Sequence, residues 1–476
     1  MKNKVFQLSA LFAALVILLT GCGQQKKSEK SPIIQKQHDQ LAEDIASWAM
    51  PLVSFFAQKE ANVRDMGAQP NQILYWSKPF DHNNKILTPN NTVLYISAQI
   101  ETFDGPMVLE VPAKDGQLGI FGSLVDPFMV PLEDVGNDTG IDQDKGGKIL
   151  ITPPNYTKEI PEGYLHVPSA HYNTVAGLRV TPESFSDEDI SAAIAFIKKI
   201  KLYPMENEKP TVFVDGGNKL YDPRPPYDKN YFRLIDHYIQ TESHKAIDAE
   251  FIANMSKVGI EKGKAFTADE SHVKIAQRVW EKYQSGMYEI GDQYFPESNW
   301  RTPVKPHEPA TQFTYVDAEG NYDWQSRAQT FHWAIWGPKH LGKATFYLMG
   351  NQDEQGQPFN SSETYQLVVP ANVPAAKFWS VTMYEFETGG TFFDDVSNVA
   401  VTSKQDNLVY NKDGSVTVTF GPQLPEGAPT ANYIPTVGDG SWFVLFRWYG
   451  PQPELFPEAG ENRWVMGDIT KISNLE

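Results

Sequence analysis

The chain has 476 residues, of which 41% are hydrophobic, 21% charged and 12% aromatic. That mixture excludes a disordered, collagen-like or coiled-coil protein and, at roughly 150 residues per domain, suits about three domains. A formal charge of −18 excludes a nucleic-acid groove or an anionic-lipid surface as the main partner, and a single cysteine excludes an internal disulfide or a cysteine-based zinc site.

Lys2 and Lys4 precede an apolar run over residues 10–19, too short to cross a bilayer as a permanent helix. The run ends in Leu19-Thr20-Gly21-Cys22, which resembles a bacterial lipobox. Residues 1–21 then read as a lipoprotein signal peptide. The resemblance implies a lipidated, palmitate-bearing N-terminus at Cys22 and a bilayer as partner. Gly23 stands where an inner-membrane retention signal would resemble Asp, which favours the outer membrane. Residues 22–37 are polar and Lys-rich and read as a flexible tether.

Residues 38–181 read as a β-sandwich. Leu94, Ile96 and Ala98 alternate with Tyr95, Ser97 and Gln99, and Met107, Leu109 and Val111 repeat the alternation after the Asp104-Gly105-Pro106 turn. A glycine-rich loop over 136–147 leads into Ile149-Leu150-Ile151 and stops at Pro153-Pro154. The period then changes. Over 182–300, Ser186 caps a helix lined by Ile190, Ile194 and Ile197. Ile247, Phe251 and Met255 mark a second helix ended by Gly259. Thr267 with Glu270 suggests a capping box before Val273, Ala276, Trp280 and Tyr283. Over 301–476 strands return: residues 377–386 and 442–449 are long and aromatic, and residues 408–410 and 416–420 flank the turn at Asp413-Gly414 as a hairpin. The expected fold class is mainly β with an α insert: two sandwiches around a helical middle.

Several motifs carry little chemistry. Residues 337–343 have P-loop spacing, but Ala344 replaces the required hydroxyl. Ser271 and Lys274 lack the companion segments of penicillin-recognising enzymes, and no Gly-x-Ser-x-Gly elbow occurs. His166 and His171 alone are poor zinc geometry, so no metal or cofactor is expected. The aspartates of loop 134–144 could hold calcium, although the spacing is not that of an EF-hand. Tyr75-Trp76 suits a core as well as a sugar platform.

Arginine in aromatic strands is the stronger signal. Strand alternation puts Arg447 on one face with Phe443, Leu445 and Tyr449, and Arg179 beside apolar Val175, Leu178 and Val180. A guanidinium there needs an anionic partner or costs several kcal/mol. An internal carboxylate such as Asp126 is one answer. A ligand carboxylate, sulfate or phosphate is the other, with Tyr384, Ser380 and Thr382 supplying hydroxyls.

Residues 90–179 resemble the domain-of-unknown-function family numbered 1254, on Asn91-Thr92-Val93-Leu94-Tyr95, Asp126, Lys145-Gly146-Gly147-Lys148, Pro153-Pro154 and Leu178-Arg179. The C-terminal third resembles the family numbered 1214, on Phe378-Trp379-Ser380-Val381-Thr382, Tyr384, Asp413-Gly414-Ser415, Asn432-Tyr433-Ile434-Pro435 and Phe446-Arg447-Trp448-Tyr449-Gly450-Pro451. The resemblance implies an N-terminal immunoglobulin-like sandwich, a helical middle and a C-terminal jelly-roll-like sandwich, and no reaction. The favoured reading is a lipid-anchored envelope protein that binds a ligand or scaffolds. The alternative is a metal-independent enzyme acting on a polar or anionic small molecule in an interdomain cleft, through Arg179, Arg447, Tyr384 and Asp126.

Overall fold

A computed structural model describes residues 32–137, 139–304, 313–340, 345–390 and 398–472. Cys22 and the stretch read as a signal peptide lie outside the described residues. The chain divides into two compact units, Met1–Ala42 and Glu43–Glu476. The described part of the first belongs to helix α1 (Pro32–Trp48), so the last six residues expected as tether are helical. Helix α2 (Met50–Ala61) starts with a proline in its first turn, where the missing N–H is harmless, and is buried on all sides.

The N-terminal sandwich follows as β1 (Ile73–Tyr75), β2 (Leu94–Glu101), β3 (Met107–Val111), β4 (Ile120–Val125), β5 (Pro131–Val135), β6 (Gly147–Thr152), β7 (Tyr164–Pro168) and β8 (Asn173–Val180). Helix α3 (Asp187–Ile197) starts at Ser186, whose side chain accepts from the Asp189 N–H as expected. The chain then returns as β9 (Lys201–Pro204) and β10 (Phe213–Asp215). One sheet has the order β10-β1-β2-β8-β4-β5 and the other β7-β6-β3-β9. Leu94, Ile96 and Ala98 of β2 meet Leu109 of β3, Ile149 of β6 and Phe196 of α3 in one buried core, on the face their alternation assigns.

Helices α4 (Lys229–Thr241), α5 (Ala249–Asn254), α6 (Glu270–Ser285) and α7 (Trp324–Trp333) follow. α4 and α7 pack on both α2 and α6 to form the helical middle. The C-terminal sandwich consists of β11 (Thr345–Gly350), β12 (Phe359–Asn360), β13 (Tyr365–Val369), β14 (Ala375–Glu385), β15 (Ala400–Thr402), β16 (Val416–Gly421), β17 (Tyr433–Pro435), β18 (Ser441–Pro451) and β19 (Thr470–Lys471). Its sheets run β11-β18-β14-β15, with β12 also on β18, and β17-β16-β13-β19. Val444, Phe446 and Trp448 of β18 meet Leu367, Val418 and Phe420 of the facing sheet. Helix accounts for 26% and strand for 27%, so the β-rich ends are balanced by helices both before and between them.

Local differences from the sequence reading have physical causes. β9 and β10 lie beyond residue 181 yet complete the N-terminal sheets by pairing with β3 and β1. Most of α1 and all of α2 fall inside the stretch read as sandwich; α2 is apolar nearly all round and so shows no period. α7 joins the helical middle although it lies after residue 300. Residues 408–410 are not a strand; β16 pairs instead with β13 and β17. Asn432 holds Val409 through its side chain, replacing the ladder a hairpin would supply. The cap of α6 is Asp269 with His272, one residue before Glu270, rather than Thr267.

The interior is tight at Gly177 of β8, where an added Cβ would lie 2.4 Å from the Trp336 ring. Gly177→Ala should therefore cost about 1–3 kcal/mol of stability in urea denaturation, whereas Gly440→Ala, in open space, should change it by less than about 0.5 kcal/mol. Equal midpoints for the two variants would contradict this packing.

Candidate functional site

The outer faces of the two sandwiches meet around two arginines. On β18 the register sets Arg447 between Ser380 of β14 and Tyr347 of β11. On β8, Arg179 pairs across the sheet with Tyr95 of β2. Arg447 is 2% exposed. Its guanidinium lies 5.1 Å from the Tyr347 ring centre and 5.6 Å from that of Tyr384. One Nη donates to the Thr88 carbonyl at 3.3 Å, while Nε and the other Nη have no hydrogen-bond partner. Arg179 is half-buried, sits 5.3 Å from the Tyr95 ring centre, and its Nε is likewise buried and unpartnered.

Tyrosines surround both. Tyr384 is fully buried and donates to the Pro89 carbonyl at 2.6 Å. Tyr449 accepts from Asn90 Nδ2 at 2.5 Å and stacks on Phe378. The Ser380 and Thr382 hydroxyls and the indole N–H of Trp336, which covers Gly177, are buried without a partner of good geometry. Among the described residues no carboxylate pairs with either arginine.

Burial disfavours the charge on Arg447, but the oxygens of Tyr384, Tyr449 and Tyr347 hold its pKa above the ordinary value. Arg179 behaves alike: burial lowers it, Tyr95, Tyr347 and Tyr449 raise it further, and Arg447 pushes it down as a like charge. Tyr347 is the mirror image. Burial raises its phenol, yet Arg179 and Arg447 together bring it below its usual range. Burial drives Tyr449 up to about 12. The cluster is thus two retained positive charges with surplus donors, each buried unsatisfied donor costing about 1–3 kcal/mol.

Of the four residues chosen from sequence, three converge: Arg179, Arg447 and Tyr384. Asp126 does not. It follows Val125, whose partner on β8 is Val175, four residues and roughly 13 Å along the strand from Arg179. Asp126 is fully buried, accepts from the Phe128 and Val130 N–H groups, and pairs with Lys245 and His171. Burial alone would raise its carboxyl, but Lys245 and His171 hold it well below the carboxylate range. Its work is to fasten the segment before α5 to the end of β4.

The weaker motifs are structural. Asp134 accepts from Ser123 and from the Lys339 and His340 N–H groups, Asp142 from Gly136 and Asp144 from Asn137, so these carboxylates hold loops. Lys339 of the P-loop-like stretch pairs with Glu133, and residues 341–343 lie outside the described residues. His166 bonds Thr152, away from His171. Tyr75 and Trp76 are core.

A separate cavity of about 600 Å³ lies among α6, α7 and the segments around 224 and 387, with Tyr227, Trp280, His332 and Phe386 in its wall. Gln284 Nε2 donates to the Phe386 carbonyl, so its Oε1 accepts from His332 Nε2 at 2.8 Å. His332 Nδ1 is then the acceptor for Tyr227 OH at 2.9 Å. Burial pushes His332 down to about 3 from its ordinary 6.5. Its folded value lies below its unfolded value, so this contribution to stability is complete above pH 6.5 and is lost as pH falls toward 3. Between pH 6.5 and 5 that loss should be about 2 kcal/mol, and His332→Gln should flatten this limb of a urea-midpoint pH profile. An unchanged slope in the variant would contradict the neutral ring.

Tyr347, Asn90, Trp336, Tyr227 and His332 were not singled out from sequence. They reach their sites through long-range folding, which no local pattern reports.

Residues 70–204 match the family described as Protein of unknown function (DUF1254), and residues 344–453 match Protein of unknown function (DUF1214). The chain is similar in fold to the VPA0106 protein from Vibrio parahaemolyticus, at TM-score 0.56 and 16% identity over 92% of this chain and 100% of that one. An uncharacterised protein from Burkholderia cenocepacia aligns at TM-score 0.41 and 12% identity over 94% of this chain and 92% of its own. No curated protein matches this sequence. The DUF1254 match spans Arg179, and the DUF1214 match spans Arg447, Tyr347, Tyr384 and Tyr449.

Proposed function

We propose that this protein is a lipid-anchored receptor of the bacterial cell envelope that binds a small anion between Arg179 and Arg447. The observation that carries this reading is the donor excess: a buried and a half-buried arginine and several buried N–H and O–H groups without a partner, with no carboxylate pairing either arginine among the described residues. A carboxylate, phosphate or sulfate accepts from several donors at once and neutralises charge that burial makes costly. Arg179 is the less buried of the two. Binding suits the cluster better than catalysis, because its groups are cations and hydrogen-bond donors rather than a nucleophile beside its base.

Tyr347 supports a second, scaffolding reading. Its depressed phenol can ionise and act as an internal counter-ion for the pair. The two readings separate by titration. Phosphate, sulfate and a series of carboxylates should be added to the full chain at matched ionic strength while melting temperature is followed. At least one anion should raise it saturably, by mass action, and Arg447→Gln and Arg179→Gln should each abolish the rise. If no anion stabilises the protein and a tyrosinate absorbance component titrates below the ordinary tyrosine range, and is lost in Tyr347→Phe, the scaffold reading replaces the receptor.

The anchor rests on the lipobox ending at Cys22. Cys22→Ser should move the protein from the membrane fraction of its cell to the soluble envelope fraction, and unchanged retention would refute anchoring at that residue.

A further inference from the structure

The cavity among α6, α7 and the segments around 224 and 387 has chemistry unlike that of the arginine cluster. Trp280 of α6 is half-exposed in its wall and stacks on no other ring among the described residues. Its neighbours on the helix, Ala276, Val279 and Tyr283, are buried. Trp333, opposite in the lining, carries a buried indole N–H without a partner. Phe386 and Leu87 add apolar surface.

The cations at this cavity are already matched, and Glu387, exposed in its wall, adds negative charge that disfavours an anion. Arg64 forms a two-point contact with Asp65, and Arg224 forms one with Asp222 at 2.8 Å for both bonds. His332 is neutral. A charged ligand entering here would have to compete with pairs already formed, whereas hydroxyl groups can use the lone pairs left on Asp222 and Tyr227. A volume of about 600 Å³ is within the range of small-molecule sites. An unstacked tryptophan beside fixed, mutually neutralised polar groups fits a ligand with an apolar face and a rim of hydroxyls.

We propose that this cavity is a saccharide site that takes a neutral sugar of one or two rings, with the sugar's C–H face laid on Trp280 and its hydroxyls directed to Asp222, Tyr227 and the Trp333 N–H. It shares none of these residues with the arginine cluster, so either site can fail without the other.

The test is tryptophan fluorescence and calorimetry of the full chain with glucose, galactose, N-acetylglucosamine, maltose and cellobiose. At least one should bind saturably, with a Kd of about 1 mM or tighter. Trp280→Ala should weaken that sugar at least about tenfold while circular dichroism stays unchanged. Tyr227→Phe, which keeps the ring but removes its oxygen, should weaken it too. The proposal is overturned if none of the five sugars binds, or if binding survives Trp280→Ala. It is also overturned if glucose 6-phosphate binds this cavity more tightly than glucose, since a charged ligand would then be preferred.

Discussion

A strand buried on both faces must be covered twice, and β18 imposes that condition on the whole molecule. Nearly every residue from Trp442 to Tyr449 is buried. Trp442, Val444, Phe446 and Trp448 are covered by the second sheet of their own sandwich. Phe443 and Leu445 face the other way and are covered by Met287, Ile290 and Trp333 from the helical middle. Further along that outer face, Arg447 and Tyr449 bond to Thr88 and Asn90 of the N-terminal half. The joining of the two sandwiches and the burial of the cation are one event. Apolar area favours the contact, and the guanidinium restricts what chemistry can sit inside it.

How far the site was legible in the sequence follows from what alternation can and cannot report. Period-two patterning put Arg447 with Phe443, Leu445 and Tyr449, and the strand has that geometry. Patterning reports faces, however, and not distances along a neighbouring strand. Asp126 was a plausible carboxylate for the arginines on composition, but β4 carries it to the far end of β8 from Arg179, where Lys245 and His171 use it. Tyr347 was hidden for the opposite reason: a tyrosine in a short strand looks ordinary until two cations are placed around it. α2 escaped notice because Met50, Leu52, Val53, Phe55 and Phe56 leave no polar face to set a period. Trp280 was read with the buried face of α6, and only the surrounding elements show that it borders a cavity.

The segment between the two sites has its own physics. Thr88 has φ +43°, a backbone state that a β-branched residue enters at a cost of about 1–3 kcal/mol. Three hydrogen bonds hold it there. Its N–H donates to the Gly389 carbonyl at 2.7 Å, its hydroxyl to the Trp333 carbonyl at 3.3 Å, and its own carbonyl accepts from Arg447. The following carbonyl, of Pro89, accepts from Tyr384. Local strain is offset by contacts to three different parts of the fold, which is why this short strap is defined by the assembled protein and not by its own sequence.

The late return of β9 and β10 sets the order in which the first half can be completed. β1 is flanked by β2 and by β10, its partner in a parallel pair that joins Ile73 to Phe213. β3 waits for β9 to cover its other edge. While the chain is being synthesised, both strands have exited the ribosome long before their closing partners exist, and unpaired edges are what invite contact with other nascent chains. The N-terminal sandwich is thus sealed only after α3 has been made, so chaperone protection during biosynthesis matters most over the span between residues 111 and 215.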